Sequence, residues 1–295
     1  MSNYRYFNLD DTNKKIFYNY CWKYGCENDE SFLPVDEDFE IKSYRPGIIV
    51  VDERNRIQGA ANLMLDDAYL NSGKARFAIY HSINNSPEIM EGMLSLLSNK
   101  AREKGVSSIF LQIPKTKIEQ IKTMENLGFF ATRKTLQLSR PKMSVRKFIL
   151  PNSFDWVNLN IKRDAEVWCD IINLCYKNRP EHIPYTPAML KEDFAMDDTF
   201  EGCGAILIDG KVPVGLYYTS LVGMKELWIG HLCILPNYRG LGIGKNLLRK
   251  CIMIGNDIGV ECALSLDSEN EKGLGMCISE DFDLVEEYIK YEIKI

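Results

Sequence analysis

An offset of 154 residues lays EKGVSSIFLQI (103–113) over DIGVECALSLD (257–267). In each segment a helical pattern ends at a glycine and a β-rich run follows. Carried backward without a gap, the same offset lays PEIMEGMLSLLSNKAREKG (87–105) over LGIGKNLLRKCIMIGNDIG (241–259), two helical patterns of equal length. Carried forward with one gap, it brings NLGFF (126–130) beside EDFDL (280–284). Upstream, GIIVVDERNRIQG (47–59) and GAILIDGKVPVG (204–215) each read as a β-hairpin: an apolar run, an aspartate, a polar turn and a glycine opening the next strand. So long a period is no solenoid repeat and predicts two copies of one domain. A chain of 295 residues with 45% apolar side chains has enough material for two cores. The expected domains are 1–145 and 146–295, with SRPKMSVRKFILPNSF (139–154) as connector.

Within each copy the pattern gives strand, helix or helices, two or three strands, helix, strand, helix, strand. In the second copy these are VNLNIK, AEVWCDIINLCYKN and PAMLKEDFA, the hairpin ending in GLYYTSL, ELWIGHLCIL, NLLRKCIMIGND, ECALSL, a short helix from Asn270, and VEEYIKYEIKI. That order predicts an α/β (α+β) class, each domain a mixed, mostly antiparallel sheet flanked by helices. At the start, YRYFNL reads as an edge strand and IFYNYCWKY (16–24) as an amphipathic helix whose aromatic residues pack in a core.

Charge narrows the partners. With 36 basic and 41 acidic residues the net charge is −5, which argues against general affinity for nucleic acid or anionic membranes. No apolar run approaches the roughly 18 residues of a membrane span, and MSNYRYFNLDD does not read as a secretory leader. Nine scattered cysteines without a Cys-x-x-Cys pair fit reduced thiols and a cytoplasmic location. Three histidines far apart in sequence, His81, His182 and His231, give little for a zinc site, and no metal is expected. The oligomeric state leaves no mark in the sequence.

The candidate site lies in PNYRGLGIGKNL (236–247), where Gly240, Gly242 and Gly244 alternate between Arg239 and Lys245. ELWIGHLCIL leads into it as a strand and NLLRKCI leaves it as a helix, so the glycines occupy a strand-to-helix turn. There the first N–H groups of the helix and the positive end of its dipole favour phosphate oxygens. Glycines permit positive φ and close approach of an anion, and the two cations add charge at the edges. A tight turn without a ligand is the alternative reading. The dinucleotide fingerprint does not fit, because its third glycine comes one residue later, and a P-loop needs Ser or Thr where Asn246 stands.

Arg239, Gly242 and Gly244 match the Arg-x-x-Gly-x-Gly motif of the GNAT (GCN5-related N-acetyltransferase) family, with Ile-x-Pro (234–236) before it and Leu247 and Leu248 after it. DSENEKGLGMC (267–277) is similar to the family's Asn-rich segment. The first half resembles the same fold without the motif: NSPEIME (85–91) stands where RGLGIGK stands, replacing the glycines and cations and adding Glu88 and Glu91. The chain thus resembles tandem GNAT proteins of the mycothiol synthase type, with a degenerate first domain acting as scaffold or as one wall of the acceptor site.

The resemblance implies acetyl-CoA as acyl donor, its pyrophosphate held by Gly240, Leu241, Gly242, Ile243, Gly244 and Lys245 with Arg239 alongside. It implies a pantetheine arm running along Leu232, Cys233 and Ile234 in the splay beside a bulged strand, with Asn270 touching the arm. Transfer would go by direct attack of a primary amine of a small molecule, needing a base and an acid near the thioester. The family's usual base position holds Trp228, which would be core or a wall for the acceptor. Glu226, two residues earlier, shares that strand face; His231 has the opposite parity and qualifies only if the bulge falls between them. The position of the usual acid, a tyrosine, holds Cys277, which reads either as acid or as a buried inert thiol. NRPEHIPYTPAMLKEDF (178–194) is the expected acceptor loop, with Glu181, His182 and Tyr185 as candidates and Glu181 suited to a cationic amine. A non-catalytic CoA-binding or regulatory protein, and a transferase for a longer acyl-CoA, are the competing readings.

Overall fold

The computed structural model describes the chain apart from residues 1–3, 26–32, 35, 148, 180–183 and 196–197. It resolves into two compact units, residues 1–135 with 286–295, and residues 136–285. The boundary expected at 145/146 lies beyond the end of the strand that leaves the first unit, and the C-terminal stretch goes to the first unit.

In the first unit the order is β1 (Tyr4–Asn8), α1 (Lys14–Tyr24), β2 (Gly47–Asp52), β3 (Ile57–Met64), α2 (Asp67–Leu70), β4 (Lys74–Ser82), α3 (Pro87–Arg102), β5 (Ser108–Pro114), α4 (Ile118–Asn126) and the start of β6 (Phe130–Arg140). Its sheet runs β1-β2-β3-β4-β5, and the C-terminal strand β12 (Asp283–Lys294) adds antiparallel to β5. The β2–β3 hairpin forms as expected, its turn closed by Asp52, whose carboxylate accepts from the N–H groups of Arg54 and Arg56. Strand alternation sends Ile48 and Val50 to one face, against Met90, Met93 and Leu97 of α3, and Ile49 to the other, against Phe17, Tyr20 and Cys21 of α1.

The second unit repeats the plan with the end of β6, β7 (Phe154–Asn158), α5 (Ile161–Tyr176), α6 (Pro187–Asp193), β8 (Gly204–Asp209), β9 (Val212–Val222), β10 (Glu226–Ile234), α7 (Ile243–Ile258), β11 (Glu261–Asp267) and α8 (Glu271–Ser279). Its sheet order is β6-β11-β10-β9-β8-β7. Helix α5 starts at Asn160, whose side chain accepts from Lys162 and Arg163 N–H, and α6 starts at Thr186 followed by Pro187 at its first position. One sheet face, with Tyr217, Leu227, Ile229 and Leu264, packs on Leu248, Cys251 and Ile252 of α7. The other, with Ile206, Leu216 and Cys233, packs on Trp168 and Ile172 of α5 and Leu190 of α6.

Contact between α7 and β11 is tight at Gly255, where an added Cβ would stand 2.4 Å from the Cys262 sulfur. Gly255→Ala is therefore expected to lower unfolding free energy by about 1–3 kcal/mol, despite alanine's better helix propensity. Urea titration of the variant beside wild type measures this.

Candidate functional site

Strand β10 departs from regular pairing where the site begins. Against β9 its register runs from Glu226↔Val222 through Ile229↔Thr219, then resumes at His231↔Tyr218, leaving Gly230 as the extra residue of a β-bulge. Directly paired residues share a sheet face, so Trp228, opposite Ser220, and His231, opposite Tyr218, point to the same side. The bulge falls where His231 needs it: Glu226, Trp228, His231 and Cys233 all project toward α5. Gly230 in a strand of bulky residues is the sequence signal that could have placed the bulge.

Toward β11, the parallel register covers only Glu226↔Glu261, Leu227↔Cys262 and Trp228↔Ala263. Beyond Trp228 the two strands carry no further registered pairs, so β10 presents an unladdered edge from Ile229 to Ile234. That splay leads directly into the glycine turn. Gly240 has φ of 82° and Gly242 φ of 76°, both left-handed, while Gly244 lies inside the first turn of α7. Gly242 is the N-cap and supplies no side-chain cap; the first intrahelical bond runs from Asn246 N–H to the Gly242 carbonyl, leaving the preceding N–H groups without a partner along the helix. Cβ atoms built at Gly240 and Gly242 would meet nothing within 4 Å, so the concave side of the turn is open. Leu241, at its tip, is 68% exposed. Unpartnered N–H groups at the start of α7 beside the open space at Gly240 and Gly242 are donors that fit a pyrophosphate; at Gly244 the Met276 sulfur would stand 3.6 Å from an added Cβ.

The flanking cations are engaged elsewhere. Arg239 turns back, its Nε donating to the Ile234 carbonyl at 3.0 Å and Nη2 to the Cys175 carbonyl at 3.4 Å. Lys245 Nζ stands 3.7 Å from the buried Glu280 carboxylate. Glu280 also takes a bidentate pair from Arg249 at 2.7 and 2.9 Å and faces Arg146 at 3.8 Å. Burial raises the Glu280 pKa, but Arg249, Arg146 and Lys245 outweigh it and hold the carboxyl below its usual range. Asn246, at the position a P-loop would give to Ser or Thr, clips the 141–153 connector to α7: its Nδ2 donates to the Ile149 carbonyl at 2.6 Å and its Oδ1 accepts from Ile149 N–H at 3.2 Å.

His231 lies among the rings of Tyr176, Tyr185 and Tyr218, with centroids 6.1, 5.7 and 6.1 Å away. Its Nδ1 is buried without a hydrogen-bond partner, and burial, then the charge of Arg179, push its pKa down to about 4. Tyr185 is fastened by backbone bonds to the Asn173 side chain and by its hydroxyl donating to Asp193. Glu226 sits where β10 still pairs with β11; burial and the neighbouring Glu261 raise its pKa. At about 3.3 Å per residue it lies on the order of 13 Å along the strand from His231, so the two do not serve one atom. Cys277 is buried in the α7-side core, where burial pushes its thiol up to about 12. Asn270 caps α8, its Oδ1 accepting from Gly273 N–H at 3.1 Å. Glu181 and His182 lie outside the described residues. Sequence reasoning did not single out Cys175, Tyr176, Asp193 and Arg249, on α5, α6 and α7, nor Tyr218 on β9 and Glu280 at the end of α8, which tertiary packing brings to the site.

The first unit keeps the splay and fills it. Strands β4 and β5 pair only at Lys74–Arg76 with Ser108–Phe110, and Ala78 is bulged. Phe77 and Tyr80 stack at 4.5 Å, and the Tyr80 hydroxyl donates to the Met90 carbonyl at 2.7 Å. Asn84 and Asn85 take the left-handed turn ahead of α3, and the Tyr6 hydroxyl donates to the Glu88 carbonyl in its first turn.

Among the described residues no group of His, Cys, Asp and Glu is placed to hold a metal ion, and no helix is long and apolar enough to cross a membrane. Residues 165–277 match the model of the acetyltransferase (GNAT) family. No curated protein is similar in sequence. Over the whole chain the fold is similar to a GCN5-related N-acetyltransferase from Sphaerobacter thermophilus, with TM-score 0.74 and 14% identity, covering 100% of this chain and 96% of that one. It is also similar to a tandem GNAT protein from the clavulanic acid biosynthesis pathway, with TM-score 0.73 and 10% identity, covering 99% and 98%. A GNAT-family acetyltransferase from Colwellia psychrerythraea matches at TM-score 0.60 and 12% identity, covering 98% and 100%. Over the whole chain the fold is thus that of tandem GNAT proteins, and the stretch that matches the acetyltransferase (GNAT) family lies within the second unit.

Proposed function

We propose that the second unit moves an acetyl group from acetyl-CoA to a primary amine of a small molecule by direct attack, and that the first unit binds no coenzyme. The observation that carries this reading is the splay of β10 and β11 opening onto the uncapped, left-handed start of α7. Backbone N–H groups from Leu241 to Lys245 would hold the pyrophosphate, while Arg239, bonded to Ile234 and Cys175, keeps the turn in place rather than meeting the phosphate itself. The unladdered edge at Leu232–Ile234 would pair with the pantetheine arm as a strand does, and a free N–H there would stabilise negative charge developing on the thioester oxygen. Acetyl-CoA supplies the activated acyl group; the protein supplies position, which accounts for much of the rate in such a transfer.

With its pKa near 4, His231 is neutral at physiological pH, and its role is to accept a hydrogen bond from the attacking amine at Nδ1. The rise of kcat/KM with pH should then follow deprotonation of the amine substrate, with no enzyme inflection between about pH 6 and 7. His231→Gln is expected to lower kcat about 10²-fold without moving the profile. An inflection near pH 6.5 that disappears in the variant would show instead that His231 titrates as an ordinary base.

Trp228 and Tyr185, on the same side of the sheet, would line the acceptor. The raised pKa of Cys277 removes it as an effective acid at neutral pH and favours one competing reading, a non-catalytic CoA-binding protein. Acetyl-CoA consumption with a panel of primary amines separates the two: product formation supports the transferase, and binding without turnover on any amine supports the other.

A further inference from the structure

Beside α1 the first unit holds a cavity of about 220 Å³. Leu9, Phe17, Leu33, Phe39 and Ile41 form its apolar wall, with the Phe17 and Phe39 rings 6.0 Å apart. Lys42, Arg45 and Asn62 bring polar groups to the side where β2 begins, and the exposed Glu40 also lines it. The chain around Arg45 is fixed from the end of β3. Asn62, 7% exposed, donates from Nδ2 to the carbonyls of Arg45 at 2.9 Å and Pro46 at 3.3 Å, and the N–H groups of Leu63 and Leu65 donate to the carbonyls of Pro46 and Tyr44 at 2.9 and 2.8 Å.

Arg45 is half-buried, and its Nε is shut off from solvent without a hydrogen-bond partner. Among the described residues no carboxylate stands in ion-pair contact with it, and Asp66 feels its charge only at longer range. A covered guanidinium nitrogen that has lost water and gained no acceptor is costly, so this corner of the cavity favours a negatively charged occupant. At the matching register position the second unit is built differently. Asn62 stands opposite Gly47 in the first unit, whereas Tyr218 stands opposite Gly204 in the second, and its ring packs on Phe194 at 4.9 Å. The shorter Asn62 leaves room that the tyrosine takes up.

We propose that this cavity is a binding site for a small monocarboxylate with an apolar body, its carboxylate on Arg45 and its body against Phe17, Leu33 and Phe39. Three features select that class. A guanidinium presents a planar fork of donors that matches a carboxylate. The volume is below the roughly 300 Å³ at which pockets for drug-sized ligands begin, so the occupant is small. Glu40, in the same lining, opposes a second negative charge and so disfavours a phosphate dianion. The site lies wholly within the first unit and stands whether or not acetyl-CoA is the donor bound by the second.

The test titrates the full-length protein with phenylacetate, followed by ligand-observed NMR, beside the neutral isostere phenylacetamide and inorganic phosphate. Phenylacetate is expected to bind with a Kd at or below about 1 mM, at least about 10-fold tighter than the amide, and phosphate should not displace it. Arg45→Met keeps an apolar stem and should erase the preference for acid over amide, a ratio that mere loosening of the wall does not change. Glu40 is exposed, so Glu40→Gln should leave the fold intact, tighten the acid about 2-fold or more and leave the amide unchanged. No saturable binding of phenylacetate up to about 10 mM in wild type, or a preference for the acid that persists in Arg45→Met, overturns the proposal. Binding that appears only in Glu40→Gln would assign Arg45 to a carboxylate of the chain itself and overturns it equally.

Discussion

Gly242→Glu is expected to weaken acetyl-CoA binding by about 100-fold or more, about 2.7 kcal/mol, while the protein stays folded. Two effects combine. Residue 242 holds φ of 76°, a conformation that costs a residue with a Cβ about 1–2 kcal/mol. The added carboxylate also occupies the place intended for the pyrophosphate and competes for the N–H groups of the first turn. Because a glutamate at a helix start is itself favoured by the dipole, the fold should lose little, and the melting temperature separates loss of site from loss of structure. Gly242→Ala adds no charge and its Cβ has open space, so it should cost affinity far less. Equal loss in both variants would place the effect in backbone strain rather than in anion recognition.

Glu280→Ala is expected to be the most destabilising single change in the second unit, by about 3–5 kcal/mol in urea unfolding at pH 7. The carboxylate is 2% exposed and neutralises Arg249, with Lys245 and Arg146 beside it; its removal leaves the Arg249 guanidinium half covered without its anion. Because the native pKa is lowered, the contribution is complete above the unfolded value of about 4.3 and is lost as pH falls through the native one. The stability gap between wild type and variant should thus shrink as the pH is taken from 7 toward 3. A gap that is flat or widens in acid would mean that Glu280 acts through packing alone. Lys245 is released in this variant, so its acetyl-CoA affinity also reports whether that ammonium was needed for its ion pair or for phosphate.

What could be read from the sequence was local or periodic. The hairpins read at 47–59 and 204–215 and the glycine turn at 240–244 are each dictated by residues a few positions apart, and the structure forms them there, with positive φ at Gly240 and Gly242 but not at Gly244. The direction of long side chains was not legible. Arg239 reads as a phosphate ligand from its place in the motif, yet it satisfies two carbonyls, one contributed by α5. The parity of His231 depended on one inserted residue, because a bulge shifts every later side chain to the opposite face. Glu280 and Cys175 entered the site only through tertiary packing: each meets partners tens of residues away, a distance over which periodicity carries no information. The C-terminal strand reads as the second domain's own, but its pairing with β5 rests on shape and register that no local pattern encodes.

Calorimetric titration of acetyl-CoA into the full chain tests the central claim most directly, that the glycine turn of the second unit, and no site in the first, receives the donor. One molecule should bind per chain with a Kd on the order of micromolar, and the heat should vanish in Gly242→Glu. Binding unchanged in that variant, or two molecules bound per chain, would contradict the account.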